Sequence, residues 1–160
     1  MSNQNLLFAL HNTHSPNMVK LFANTVVNFP SLCKNVVFSK ITASAASMGI
    51  PDAQKIILGS ETRGSLLFFA DLDDIIEALK PDKIYLLVPR RFGQSVIPFL
   101  QIAHEIKQQK VLVVVGGSAS GLTRKELDKG ECIYLKDEIP ELNPIALTAI
   151  FLFGLSERSE

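Results

Sequence analysis

The stretch VVVGGSASGLTRKEL, Val113–Leu127, places Gly116 and Gly117 directly after an apolar, β-rich run, with Gly121-Leu122 close behind and a charged helix-forming segment after that. Glycines at a strand end let a ligand approach the backbone. In open parallel sheets ligands bind outside the carboxyl ends of strands. A turn that only terminates a strand has the same local pattern, so the glycines alone do not decide between the two. The chain lacks a GxGxxG fingerprint and a GxxxxGK[ST] loop, which removes support from a classical NAD or ATP site. Arg90 and Arg91 follow the IYLLVP run, where paired guanidinium groups suit phosphate oxygens; Arg63 and Arg124 are further candidates for that contact. His11 and His14 form an HxxH pair, but no third ligand is evident in the sequence and no metal is assigned. Asp71, Asp73 and Asp74 suit the start of a helix better than a metal cluster. His104 reads as a structural helix residue and Cys132 as buried packing.

The elements that must position these residues alternate between two textures. Runs expected to be strands cover Leu6–Leu10, Val36–Ser39, Leu66–Ala70, Ile84–Val88, Val111–Val115 and Cys132–Leu135. Several, such as LLFFA and VLVVV, are apolar on both faces and so suit a parallel sheet covered on both sides. Helical patterns lie between them. Ser15-Pro16 opens the first. A second, around Ala43–Ile57, is interrupted by Gly49-Ile50-Pro51. The others are LDDIIEALK with Asp71 as N-cap, SVIPFLQIAHEIKQQ, LTRKELDKG ending at Gly130, and NPIALTAIFLFGLSE. The expectation is an α/β fold with a mainly parallel, six-stranded, Rossmann-like sheet in one domain over residues 1–160.

Sixteen basic residues balance sixteen acidic ones, and 47% of the chain is hydrophobic. A globular, cytoplasmic protein is expected, and overall charge neither requires nor excludes nucleic acid, for which a local basic patch suffices. Two distant cysteines offer no disulfide framework. The N-terminus lacks a signal-peptide pattern, and the apolar run Ile145–Leu155 is too short to span a membrane. The last helix is apolar around much of its circumference, which requires cover on several sides; a second subunit is the simplest cover.

The segment GGSASGLTRKELDKGECIYLKDEIPELNPIALTAIFLFGL resembles the C-terminal region of the SPOUT superfamily, specifically its SpoU/TrmH-like RNA methyltransferases. Members typically read G-S-E-x-x-G-L, then I-P-M, then S-L-N before an apolar helix. Gly116 and Gly121-Leu122 match the first motif, Ile133 stands at the isoleucine of the second, and Leu142-Asn143 match the third. Near the N-terminus, SPNMVKLFANT is similar to a P-N-x-G-x-I-x-R-x-x-x-N-T first motif. The departures are Ser118 for the glutamate, Tyr134 and Leu135 for the proline and methionine, and Glu141 for the serine. The arginine of the first motif is replaced by Lys20 when ANT is aligned, or by Ala23 when Pro16-Asn17 is.

The resemblance implies a C-terminal trefoil knot and three loops that bind S-adenosylmethionine: Val88 and Pro89 in the first; Val115, Gly116, Gly117, Ser118, Gly121 and Leu122 in the second; Ile133, Leu135, Leu142 and Asn143 in the third. It implies methyl transfer to RNA (tRNA or rRNA), with Lys20 as candidate base and Asn17 as an orienting group. Arg90, Arg91, Arg63 and Arg124 would hold RNA phosphates, and a homodimer would form through the knot and last helix. Two alternatives stay open: a non-catalytic SPOUT-like protein that binds RNA or cofactor, and an unknotted Rossmann-like nucleotide-binding or hydrolytic domain.

Overall fold

A computed structural model describes residues 5–61, 64–118, 121–137 and 142–158. Seven strands form one sheet: β1 (Leu6–Thr13), β2 (Val36–Ile41), β3 (Leu66–Phe69), β4 (Lys83–Leu87), β5 (Ser95–Val96), β6 (Val111–Gly116) and β7 (Glu131–Tyr134). The spatial order is β3-β2-β1-β6-β4-β7-β5, and every pairing is parallel. Strands β1 to β3 wind outward in one direction and the later strands in the other. The reversal lies around β1, β6 and β4, the kind of switch point at which parallel sheets hold ligands.

Six helices connect the strands: α1 (Pro16–Val27), α2 (Ile50–Leu58), α3 (Leu72–Leu79), α4 (Phe99–Glu105), α5 (Arg124–Leu127) and α6 (Pro144–Ser156). Strand alternation divides the core into two faces. Leu6, Phe8, Leu10, Val113 and Val115 point toward α1, α2, α4 and α6. On that side the Phe8 ring packs 5.7 Å from Phe22 and 5.5 Å from Phe151, centroid to centroid. Leu7, Ala9, Val37, Leu112 and Val114 point the other way, onto Leu72 and Ile75 of α3, with Leu127 of α5 beside them. The second face is therefore covered by two short helices, α3 and α5.

Six strands fall where the hydrophobic runs place them, and β5 is an addition. The segment from Ser95 reads as a helix start, yet Ser95 and Val96 pair with Ile133 and Tyr134 of β7. Pro98 explains the difference: it biases the preceding residue toward extended backbone, so α4 begins only at Phe99. The expected break at Gly49-Ile50-Pro51 is a change of helical pitch, from a π-type turn over Ala45–Gly49 into α2, with Pro51 in its first turn. Gly49 is fixed by packing, since a Cβ there would lie 3.0 Å from both the Pro16 Cα and the Val19 Cβ. Among the described residues no helix is long and apolar enough to cross a membrane.

Candidate functional site

Three loops meet at the carboxyl edge of the sheet and enclose a cleft of about 290 Å³, near the lower limit of small-molecule pockets. The first loop leaves β4 through Leu87, Val88 and Pro89; the Val88 N–H donates to Ile133 O (3.0 Å), which holds the loop against β7. A 3₁₀ turn over Arg90–Phe92 follows and sets Arg91 and Phe92 at the mouth, with the Arg91 guanidinium 4.7 Å from the centre of the Phe92 ring. The second loop leaves β6 at Gly116. Its turn is closed by the Gly121 N–H donating to Ser118 O (3.0 Å), with Gly121 at φ +70°, a left-handed conformation that favours glycine. Thr123 and Glu126 then form a reciprocal cap that starts α5. The third side is Leu142 and Asn143; the Asn143 Oδ1 accepts from the Ala146 N–H (2.9 Å), and Pro144 fills the first position of α6.

The lining is largely apolar, from Leu87, Val115, Leu122, Leu127, Leu142 and Leu147, with Ser118, Asn143 and Arg91 as its polar side chains. Of the residues chosen from motif spacing, Val88, Pro89, Val115, Gly116, Ser118, Gly121, Leu122, Leu142 and Asn143 line this cleft. Gly117, Ile133 and Leu135 do not. Ile133 is fully buried beneath it, Leu135 packs on the core, and Gly117 lies against Leu10, Asn12 and Thr13. Leu87, Phe92, Leu127, Pro144 and Leu147 join the lining without having been singled out. Leu127 and Leu147 were findable, each lying four residues, one helical turn, after a helix cap, at Thr123 and Asn143.

The other candidates lie apart from it. Lys20 and Asn17 are both exposed on α1. Asn17 lines a shallow groove between α1 and α6 that also includes Asn143, so it stands beside the cleft; Lys20 lines neither. Arg90 is exposed in the 3₁₀ turn, and Arg124 is exposed as the first residue of α5. Arg63 lies outside the described residues.

A second polar group sits on the thinly covered face, one strand away. His11 is fully buried near the end of β1, with Ser39 of β2 on one side and Gly116 of β6 on the other in register. Its Nδ1 is 2.7 Å from Ser39 Oγ and its Nε2 is 2.5 Å from Glu126 Oε2 and 4.0 Å from Asp71 Oδ1. His14 is not part of this group. Asn12 between them has φ +64°, and His14 is exposed, paired through Nδ1 with Thr42 Oγ1 at 2.6 Å. Asp71 is the N-cap of α3, as expected from sequence, and also faces His11. His104 is exposed at the end of α4. Burial pushes the Cys33 thiol up to about 12, and burial with the nearby charges of Asp128 and Glu131 raises Cys132, so neither is poised as a nucleophile.

Several solved methyltransferases share this architecture. A probable methyltransferase of Bordetella pertussis Tohama I superposes with a TM-score of 0.72 at 14% identity, covering 99% of this chain and 96% of that one. The SpoU methyltransferase AviRb of Streptomyces viridochromogenes, solved with AdoMet, gives 0.72 at 8% identity over 97% of this chain and 61% of that one. A structure described by the 2-OH methylation of C/U34 on tRNA gives 0.71 at 12% identity over 98% and 97%. At these identities the likeness shows the fold alone. By sequence, residues 43–154 match the family described as RecB-family nuclease (DUF2122), and the chain belongs to that family. A Methanocaldococcus jannaschii protein named as a candidate type II restriction enzyme is 32% identical over 153 residues, covering 96% of this chain and 97% of that protein.

Proposed function

We propose that the cleft binds S-adenosylmethionine and that the protein transfers its methyl group to RNA. The observation that carries the reading is the meeting of three separate segments, two of them marked by motif spacing and the first by the resemblance alone, around one cleft at the switch point of a SPOUT-type sheet. The residues present fit such a cofactor. Leu122 and Leu142 supply apolar surface for a purine, and Gly116 leaves open the space beside Leu122, where an added Cβ would stand 3.4 Å from its side chain. When bound, the cofactor supplies an electrophilic methyl group. The chain's own part is to fix donor and acceptor in line. Arg91 at the mouth, Arg90 beside it and Arg124 on α5 suit the phosphates of a nucleic acid; Asn17, sharing a groove with Asn143, is placed to orient an acceptor. Lys20, one helical turn from Asn17, is the candidate base.

The same reading includes a C-terminal trefoil knot, a cytoplasmic location and a homodimer through α6. Ile150 and Phe153 are exposed on that helix, as are Leu21 on α1 and Leu100 on α4, and a partner surface would cover them. Sedimentation that stays monomeric at every concentration would count against the dimer.

A second reading is nucleic-acid hydrolysis, the activity in the family's description. The pairing of a buried imidazole with two carboxylates favours it, because hydrolysis of a phosphodiester needs an activated water. Calorimetric titration with S-adenosylmethionine and S-adenosylhomocysteine separates the two. The first reading expects micromolar binding, then methyl transfer to total RNA that Lys20→Ala lowers. A folded protein that binds neither and cleaves DNA or RNA establishes the second.

A further inference from the structure

The group around His11 is assembled from elements far apart in sequence. His11 comes from β1, Asp71 from the start of α3 and Glu126 from α5, and one ligand-type atom from each lies within 4.8 Å of the others. We propose that His11 Nε2, Glu126 Oε2 and Asp71 Oδ1 form a binding site for a divalent transition-metal ion of the Zn²⁺ or Mn²⁺ type. The site goes beyond the methyl-donor cleft and does not depend on it.

Each donor is fixed by a partner of its own. With its proton on Nδ1, the His11 ring donates to Ser39 Oγ and turns the Nε2 lone pair toward the carboxylates. That is the arrangement by which an outer hydrogen bond orients a metal-binding imidazole. The other Glu126 oxygen, Oε1, accepts from the Thr123 N–H at 2.8 Å, and Asp71 Oδ1 accepts from the Leu72 N–H at 2.7 Å. Lys129, two residues beyond α5, reaches Asp73 in the first turn of α3 in an ion pair at 2.8 Å.

Distances and donor types both fit. Nitrogen and oxygen ligands stand about 2.0–2.2 Å from such an ion, which puts neighbouring donors roughly 3–3.5 Å apart. The 2.5 Å and 4.0 Å separations from His11 Nε2 straddle that value, and all three donor atoms lie within 4.8 Å of one another, close enough for side-chain adjustment to gather them round one ion. An imidazole beside two carboxylates selects against Mg²⁺ and Ca²⁺, which prefer all-oxygen shells. Access exists on one side: the His11 side chain is fully buried and that of Glu126 is 13% exposed, but that of Asp71 is 57% exposed. Three protein donors leave coordination positions for solvent on that open side.

The site also explains the cost of the arrangement. A titratable ring is held out of water beside two acids on the face with the thinner cover, although an apolar side chain at position 11 would continue the packing of Leu7 and Ala9.

The test is calorimetric titration of metal-stripped full-length protein with Zn²⁺, Mn²⁺ and Mg²⁺, beside Glu126→Gln and Asp71→Asn. Both variants keep an oxygen acceptor for the helix-cap N–H, so their folding is preserved, and thermal unfolding without metal checks it. The expected result is one equivalent of Zn²⁺ or Mn²⁺ per chain, weaker by about 10-fold or more in each variant, with Mg²⁺ far weaker. Co²⁺ in place of Zn²⁺ should give visible bands without a thiolate charge-transfer band, which sets Cys33 and Cys132 aside. A folded wild type that binds no Zn²⁺ or Mn²⁺, or binding that neither variant weakens, overturns the proposal. Because methyl-donor binding is read by a separate titration, failure of either proposal leaves the other standing.

Discussion

Two adjacent regions at the same sheet edge are built in opposite ways. The cleft is made of loop backbone, glycine and leucine, with few polar side chains. The His11 group is made of three ionisable side chains on rigid elements, each held by a second hydrogen bond. Recognition through backbone and apolar surface survives exchange of side chains, so Ser118 can stand where related motifs have glutamate. Ligation by side chains does not survive it, because each donor is a specific atom at a specific place. Gly116 is where the two regions touch: it lines the cleft and lies in register with His11.

The comparison is broken most sharply by a pair of substitutions. Leu142→Asp should place a charge in the apolar cleft and weaken S-adenosylmethionine by ~100-fold while leaving Zn²⁺ affinity unchanged; Glu126→Gln should do the reverse. Two titrations per variant read this, and parallel losses would mean that the regions are one site. Next in size is Gly117→Ala. Its Cβ would stand 2.9 Å from the Thr13 Cβ and 3.1 Å from the Asn12 carbonyl, so β1 and β6 must part at their ends. A stability loss of about 1–3 kcal/mol by denaturant unfolding is expected, with both ligands weakened.

Thr123→Ala and Asn143→Ala remove one helix cap each, at about 1 kcal/mol. The first should leave the metal affinity nearly unchanged, since the backbone N–H of residue 123 still donates to Glu126 Oε1 and only the Glu126 N–H loses its acceptor, whereas the second should affect only the methyl donor. The smallest effect is a pH dependence. The hydrogen bond from Lys129 holds the Asp73 carboxyl below its ordinary value. A carboxyl depressed in the folded state contributes stability above its unfolded pKa of about 3.9, and that contribution is lost as pH falls through the lower folded value. Melting temperatures of wild type and Asp73→Asn should therefore differ slightly at neutral pH and converge in acid. Added salt should shrink the difference, because the pair is solvent-exposed.

The same contrast explains what could be read from the chain alone. The cleft's contributors are short contiguous segments at strand ends and a helix cap; hydrophobic pattern locates the strand ends, but only the motif resemblance singled out their loops as a ligand site. The His11 group was not legible. Its members pair through strand register and helix placement, and Asp71 and Glu126 each have a complete local explanation as helix-capping residues. The HxxH spacing pointed to His14 instead, and the left-handed Asn12 that separates the two rings leaves no hydrophobic signature. Strand β5 was missed for a related reason: two residues are too few to show a period, and only Pro98 hinted that the helix began later.

The place of β1 in the sheet also governs how the chain can be made. Its partner on one side, β2, follows soon after it, but Leu6 pairs on the other side with Val111. During synthesis β1, β2 and β3 can associate as soon as they emerge, yet β1 then presents a bare edge, apolar from Leu6 to Leu10, until β6 leaves the ribosome. Fragments that stop short of Val111 should be aggregation-prone whatever their helices do. Insertion of β6 between β1 and β4 is then the step expected to limit refolding, because its pairing with β1 closes the longest loop in the sheet.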